Sequence, residues 1–492
     1  MTNREHNFLE NVRAELSDVR LWLDRAVVLG YAVLAGLCVV AFTIAADWAF
    51  AHFRTLERTF PLALLIWTPA LTAFIAFATR RWFPLAAGSG IPQVKAALDP
   101  ELPPDRTGWF ASLRLSAGKM LLGTAGFAAG LSVGREGPSV QVAAGVMQHA
   151  RRWLSAGSTI DTRALLIAGG AAGIAAAFNA PLAGVVFAIE ELAGRMEARA
   201  SGVIITAIVL AGLVAVSAFG NLTYFGVIKV PQPGWNLLGP GLLVSLASGA
   251  AGGLFARLMI ASLTGAPERL NTLRSRFPVR FAACGGLAIA VIGLVTGGVT
   301  FGSGSESVKQ MLRGHDELTP LYTMLKLIAT WLTAWCGVPG GIFAPSLSIG
   351  AGIGDGVAQL VGGSMLGPAL IAMGMAGFLG AVTQAPLTAF IIVMEMVDGH
   401  SMVLSLMASA MVASVISRLI SRPLYDTLAE HMLAALRPRE VDVRSDRHAD
   451  ASPLAEVAVA DDVVASTAGA SGQPLPAVNS SPDPSHVEPT QR

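Results

Sequence analysis

The sequence predicts an all-α, polytopic membrane protein made of two related halves whose helices are broken by Gly and Pro. Three observations carry this prediction. The chain is 53% hydrophobic and only 14% charged, against about 25% charged in ordinary soluble domains, and its mean hydropathy is +0.59. Apolar runs of membrane-crossing length recur along it. Its motifs also repeat in the same order at nearly constant offsets.

The uninterrupted runs are Ala26–Phe50, Leu62–Ala78, Leu238–Ile260, Phe281–Val299 and Met402–Ile420. Between them lie shorter apolar stretches cut by Gly and Pro, which read as broken spans. The first run is longer than the apolar segment of a secretory signal and is expected to stay as a helix. Residues 1–25 are polar, with an amphipathic pattern over 8–25 (Phe8, Leu9, Val12, Leu16, Val19) that suits a membrane surface. The membrane domain is expected over 26–436, its first half over about 26–220 and its second over about 236–430. Residues 437–492 are rich in Ala, Ser, Pro, Asp and Val with almost no aromatics, the composition of a disordered tail. Arg13, Arg20 and Arg25 precede the first run, and Arg418, Arg422, Arg437 and Arg439 follow the last. Positive flanks place both termini in the cytoplasm, which requires an even number of crossings.

A net charge of +1 gives no reason to expect a nucleic-acid partner. The three cysteines, Cys38, Cys284 and Cys336, sit in apolar runs where a thiol acts as a small hydrophobe. No His pair has metal-ligand spacing and no nucleophile–base motif appears, so neither metal nor cofactor is expected and an intramembrane enzyme is disfavoured. His315-Asp316-Glu317-Leu318 spells a retention tetrapeptide, but such signals are read only at a C-terminus. The glycines of 350–356 lack dinucleotide-motif spacing and suit close helix packing.

The repeat is specific. Asn179-Ala-Pro181 through Glu190 matches Gln384-Ala-Pro386 through Glu395, an offset of 384 − 179 = 205. Gly134-x-x-x-Pro138 matches Gly341-x-x-x-Pro345 (341 − 134 = 207), and Gly88-Ser89-Gly90 matches Gly302-Ser303-Gly304 (302 − 88 = 214). Paired Gly/Pro-interrupted segments at corresponding places mark transporters whose site lies where broken helices meet. The repeat alone does not say whether the halves are inverted.

Three of these segments could hold an anion: 88–92 (GSGIP), 134–138 (GREGP) and 340–345 (GGIFAP). Each has a Gly-rich stretch leading into a Pro, which fits the first helical turn because it lacks an N–H. The free backbone N–H groups of such a helix start favour negative charge. The Ser89 hydroxyl adds a donor. Glu136 stands where the anion itself would bind; when protonated it becomes neutral and can leave, so it is a candidate gate and proton carrier, with Arg135 as the residue that would otherwise neutralise it. Glu190 and Glu191 follow the next broken helix, and either relays protons or pairs with Arg195. Lys119, alone in an apolar run, either offsets Glu136 or Glu191 or snorkels. Tyr425 either offers its hydroxyl to the ion or anchors the interface.

Together GSGIP (88–92), GREGP (134–138), AAAFNAPLAGVVFAIEE (175–191), GGIFAP (340–345) and PLY (423–425) resemble the CLC family of chloride channels and chloride/proton antiporters, over about residues 26–430. The resemblance implies two inverted-topology halves with broken, re-entrant helices, and a homodimer with one chloride path per subunit. It implies chloride ligands at Ser89, Gly90 and Ile91, at Arg135, Glu136 and Gly137, and at Ile342, Phe343 and Tyr425, with Ile342 and Phe343 acting through backbone amides. Glu136 matches the family's external gate, Glu191 its internal proton glutamate, and Lys119 a lysine near that path. Nitrate-preferring members resemble this pattern with Pro in place of Ser89, and fluoride-type members depart from GSGIP and GREGP, so chloride is favoured. The tail lacks the length for paired CBS domains. The expected activity is proton-coupled chloride antiport in a lipid bilayer, in a bacterial inner membrane; the alternative is a passive gated chloride channel.

Overall fold

A computed structural model describes residues 19–193, 198–220, 225, 234–314, 321–362 and 366–436; at 104 and 198–201 only the backbone is described. Residues 1–18, Arg195, the tetrapeptide at 315–318 and the tail 437–492 lie outside these residues. The chain divides into a unit spanning Met1–Ala434 and a second, Ala435–Arg492, nearly all of which falls outside them too.

The first half contains α1 (Val19–Thr59), α2 (Leu64–Trp82), α3 (Ile91–Ala97), α4 (Leu113–Ala128), α5 (Glu136–His149), α6 (Thr162–Phe178), α7 (Pro181–Phe187) and α8 (Ala198–Phe219). The second contains α9 (Leu238–Thr264), α10 (Pro278–Val295), α11 (Ser305–Leu312), α12 (Tyr322–Trp335), α13 (Phe343–Val361), α14 (Gly367–Thr383), α15 (Pro386–Val397) and α16 (Val403–Ile420), and α17 (Leu424–Leu436) follows. Among the described residues, six helical stretches are long and apolar enough to cross a membrane: Val19–Thr59, Pro61–Trp82, Gly202–Phe219, Trp235–Thr264, Pro278–Val295 and His400–Ile420. Five of them contain or largely overlap the uninterrupted apolar runs; Gly202–Phe219 is one of the spans the sequence shows less sharply.

Helix α1 shows why these segments pack. It buries Val28, Ala32, Ala35, Val39, Phe42, Ala46, Ala49 and Phe53, alternating steps of three and four that keep one stripe on the interior. Leu34, Leu37, Ile44 and Trp48 on its other faces are exposed, as suits a helix whose outer solvent is lipid. Helices α6 and α14 are instead buried on all sides, from Ala164 to Phe178 and from Ala369 to Thr383. Glycine permits this. A Cβ at Gly350 would meet the Gly374 carbonyl oxygen at 2.3 Å, and one at Gly354 the Leu370 oxygen at 2.2 Å.

The repeat is visible as geometry. Asn179 and Gln384 both end their helices in the left-handed conformation (φ 55° and 60°), and each is followed by Ala-Pro, with the proline opening the next helix. Residues matched by the repeat also contact one another reciprocally. Gly134 and Gly341 form an antiparallel bridge, each N–H donating to the other's carbonyl at 2.7 Å. Two equivalent residues paired in this way lie across a local two-fold axis, the relation expected of inverted halves.

Candidate functional site

The three candidate segments converge. Gly88 N–H donates to the Val338 carbonyl (3.1 Å), and Gly340 N–H donates to the Gly88 carbonyl (3.0 Å). A Cβ on Gly137 would lie 2.3 Å from Ser89 Oγ and 3.4 Å from the Gly341 Cα. A Cβ on Gly90 would lie 2.7 Å from the Gly137 oxygen. The starts of α3, α5 and α13 therefore meet at one point, and only glycine allows the approach. Gly90 caps α3 in the left-handed region (φ +107°), which a side chain rarely adopts.

Around this point the predicted ligands are buried: Ile91, Arg135, Glu136, Gly137, Ile342, Phe343 and Tyr425. The hydroxyls of Ser89 and Tyr425 are enclosed, and neither has a partner in hydrogen-bonding geometry among the described residues. An unmade hydrogen bond on a buried hydroxyl is costly, so two orphan donors beside three helix starts form a site suited to an anion. Aromatic rings pack against it: Phe343 contacts Tyr425, Phe178 and Phe187, with ring centroids 6.1, 6.2 and 6.5 Å apart.

Glu136 is fully buried, and its carboxylate sits over the start of α13, in the other half. Ala344 N–H donates to Oε2 at 3.4 Å, while Oε1 has no partner. Such a long contact is weak, so the carboxylate lies at a helix start, where negative charge is favoured, without a strong bond to it. Its neighbour does not anchor it by a direct bond: the Arg135 guanidinium pairs with Asp47 (2.5 Å), whose side chain is exposed.

Lys119 does not snorkel. It is fully buried, and its Nζ donates to the carbonyls of Ala86 (2.8 Å) and Gly88 (2.7 Å), pinning the loop that carries Ser89. Lys326, which sequence reasoning missed, does the same in the second half, donating to Thr300 (2.9 Å) and Gly302 (2.7 Å). The signal was present: 326 − 119 = 207 is the offset of the Gly134/Gly341 match.

Glu190 and Glu191 lie in a π-helical turn, Ala188–Ala193, that continues α7. Their roles divide. Glu190 accepts from the backbone N–H groups of Leu387 (3.0 Å) and Thr388 (2.6 Å), capping α15. Its repeat partner Glu395 accepts from Leu182 (3.3 Å) and Ala183 (2.7 Å), capping α7. Glu191 turns inward and is 2.9 Å from the Lys95 ammonium, which also meets Asp426 at 2.5 Å. Lys95, Asp426 and Glu395 were not singled out from the sequence. Lys95 had one hint: it is a charged residue one turn into the helix opened by GSGIP.

An all-α body of two inverted halves, with broken helices aiming their amino ends at one internal point, defines an integral multi-pass membrane protein of the transporter type. The chain belongs to the voltage gated chloride channel family, whose model matches residues 71–418. It is 31% identical over 444 residues to an H(+)/Cl(-) exchange transporter ClcA of Cronobacter sakazakii, covering 84% of this chain and 91% of that protein. It is 30% identical over 419 residues to the H(+)/Cl(-) exchange transporter ClcA of Citrobacter koseri, covering 82% and 87%. Among solved structures it is similar to a slow cyanobacterial Cl-/H+ antiporter, with a TM-score of 0.69, 25% identity, and coverage of 84% of this chain and 98% of that one.

Proposed function

We propose that this chain exchanges chloride for protons across a membrane, with Glu136 as the outer gate and Glu191 as the inner proton carrier. The observation that carries the reading is the Glu136 carboxylate, buried at the start of α13 and bonded to that helix only by the Ala344 N–H at 3.4 Å. Charged, it fills the anion position. Once protonated it loses its attraction to the helix start and can leave, and chloride takes its place against the amides of Ile342 and Phe343 and the hydroxyls of Ser89 and Tyr425. The amides of the α3 and α5 starts, at Gly90, Ile91, Arg135, Glu136 and Gly137, complete the cradle. Lys119 acts by fixing the Ser89 loop. The named activity of the similar proteins, H(+)/Cl(-) exchange, supports the same reading.

The protein works as a homodimer with one path in each copy, in a bacterial inner membrane with both termini cytoplasmic; the arginines flanking the first and last runs support that orientation. Residues 1–25 form its cytoplasmic entry segment and 437–492 its cytoplasmic tail. The function is transport, with no covalent chemistry.

The test is flux from liposomes holding the purified protein. A chloride gradient should drive protons uphill. Glu136→Gln, which mimics the protonated gate, should keep or raise chloride flux and abolish proton movement, and Glu191→Gln should abolish proton movement while chloride still flows. Chloride flux with no uphill proton movement in the unmodified protein would leave a passive channel and end the antiport reading.

A further inference from the structure

The inner end of the site holds a charge arrangement that the exchange reading alone does not require. Lys95, on α3, places one ammonium between two carboxylates: Glu191 Oε2 at 2.9 Å and Asp426 Oδ1 at 2.5 Å. The Glu191 side chain is 6% exposed, that of Lys95 15% and that of Asp426 51%. A cleft of about 500 Å³ opens on the cluster, lined by Lys95, Glu190, Glu191, Arg418, Arg422 and Asp426. The other charges on that cleft are occupied or wet. Glu190 is held by the amides of α15, Arg418 donates to the Gln384 carbonyl at 3.3 Å, and Arg418 and Arg422 are both exposed, where solvent screens them.

We propose that Asp426 is what lets Glu191 take up a proton: it leaves the contact cluster with one carboxylate too many, and Lys95 positions the pair. The proposal rests on reading Glu191 as the inner proton carrier. With both acids charged, the cluster carries a net negative charge at the edge of a low-dielectric interior. One proton on Glu191 makes the cluster neutral, with Lys95 still paired to Asp426. Without Asp426, the Lys95–Glu191 pair is already neutral. Protonating Glu191 would then strand a mostly buried ammonium, which is costly. The exposed Asp426 faces the cleft and the solvent beyond it, so the excess charge also sits where protons arrive.

The connectivity gives the cluster a wider reach. Lys95 is carried by the helix that begins beside Ser89, Glu191 by the turn that continues α7, and Asp426 by the residue after Tyr425. The protonation of Glu191 therefore bears on the elements that hold both orphan hydroxyls.

The test is the ratio of proton to chloride flux in liposomes. Asp426→Asn should lower it by about tenfold or more, the scale on which a nearby charge sharing the same ion-pair partner changes a carboxyl's proton occupancy. Adding Lys95→Met to Asp426→Asn should restore proton flux, because no stranded cation remains. Lys95→Arg should keep the ratio. Asp426→Ser is read in parallel, so that a folding defect in one variant leaves the other decisive. If Glu191→Gln uncouples but Asp426→Asn and Asp426→Ser do not, the inference is overturned while the exchange reading stands. If Asp426→Asn uncouples and the double variant fails to recover, the charge-excess explanation is overturned. If Glu191→Gln itself leaves coupling intact, the reading beneath it fails.

Discussion

Removing Glu395 tests the join between the two halves. Helices α7 and α15 each begin with a proline, and each glutamate caps the helix of the opposite half. Glu395→Ala would strip the start of α7 of a partly buried 2.7 Å bond from the N–H of buried Ala183 and an exposed 3.3 Å bond at Leu182. Hydrogen bonds to charged groups contribute about 1.5–3 kcal/mol, whereas an exposed amide recovers most of its loss from water. The net cost is therefore about 2 kcal/mol, at the upper end for helix caps. Glu190→Ala should cost a similar amount through Leu387 and Thr388. The double variant should cost less than the sum, because loosening one cap loosens the interface that forms the other. The assay is the apparent unfolding midpoint in detergent at a fixed scan rate, read from the nine tryptophans. Each single variant should fall by a few degrees. Gln should recover part of the loss, since its one carbonyl oxygen can keep one N–H. An unchanged midpoint for Glu395→Ala would refute the clamp. Full additivity would refute the idea that the two caps share an interface.

Two further perturbations probe the anion site. Gly137→Ala places a methyl 2.3 Å from Ser89 Oγ and 2.9 Å from the Ser89 carbonyl oxygen; the hydroxyl can rotate but the carbonyl cannot, so chloride affinity measured by calorimetric titration should fall at least about tenfold. Lys119→Met orphans the buried Ala86 carbonyl and leaves the Gly88 carbonyl with the Gly340 N–H alone, so it should lower stability by about 1–3 kcal/mol, and Lys326→Met, which orphans the buried carbonyls of Thr300 and Gly302, by about 2–4 kcal/mol. Only Lys119→Met should also weaken chloride binding, because only its loop carries Ser89; equal weakening by both would remove Lys119 from the site.

Much of this was legible before the structure, because it rests on local chemistry. Apolar length gave the uninterrupted spans, and the GSGIP, GREGP and GGIFAP segments announced their helix starts through Gly and Pro. What the sequence hid was pairing. Adjacency suggested that Arg135 would neutralise Glu136; the guanidinium acts on that carboxylate only through space, and its direct bond reaches Asp47, 88 positions away. Lys119 looked like a partner for a carboxylate because carboxylates are visible in a sequence; its real partners are main-chain carbonyls, which every residue has. The repeat held more than was taken from it. Once two halves are related by a two-fold axis, a contact from Glu190 to the α15 start requires one from Glu395 to the α7 start. Lys95, Glu191 and Asp426 come from three distant segments, and no pattern in one sequence joins them.

The same local device, a carboxylate at a helix start, has two outcomes in this molecule, and bond geometry separates them. At α7 and α15 the carboxylate is bidentate, with one bond in each pair at 2.6–2.7 Å, and displacing it would break charge-assisted bonds of about 1.5–3 kcal/mol each. At α13 the carboxylate makes one contact at 3.4 Å and leaves its second oxygen without a partner. A weakly hydrated anion can compete for the second arrangement but not for the first. The scaffold is symmetric while the chemistry is not: Glu136 and Phe343 occupy equivalent positions (343 − 136 = 207), so only the first half supplies a carboxylate there. The second half supplies a ring that packs on Tyr425. On the gate proposed for Glu136, a two-fold scaffold bearing carboxylates at both positions would have two competing gates; with one, a single protonation would decide whether the position belongs to the protein or to the ion.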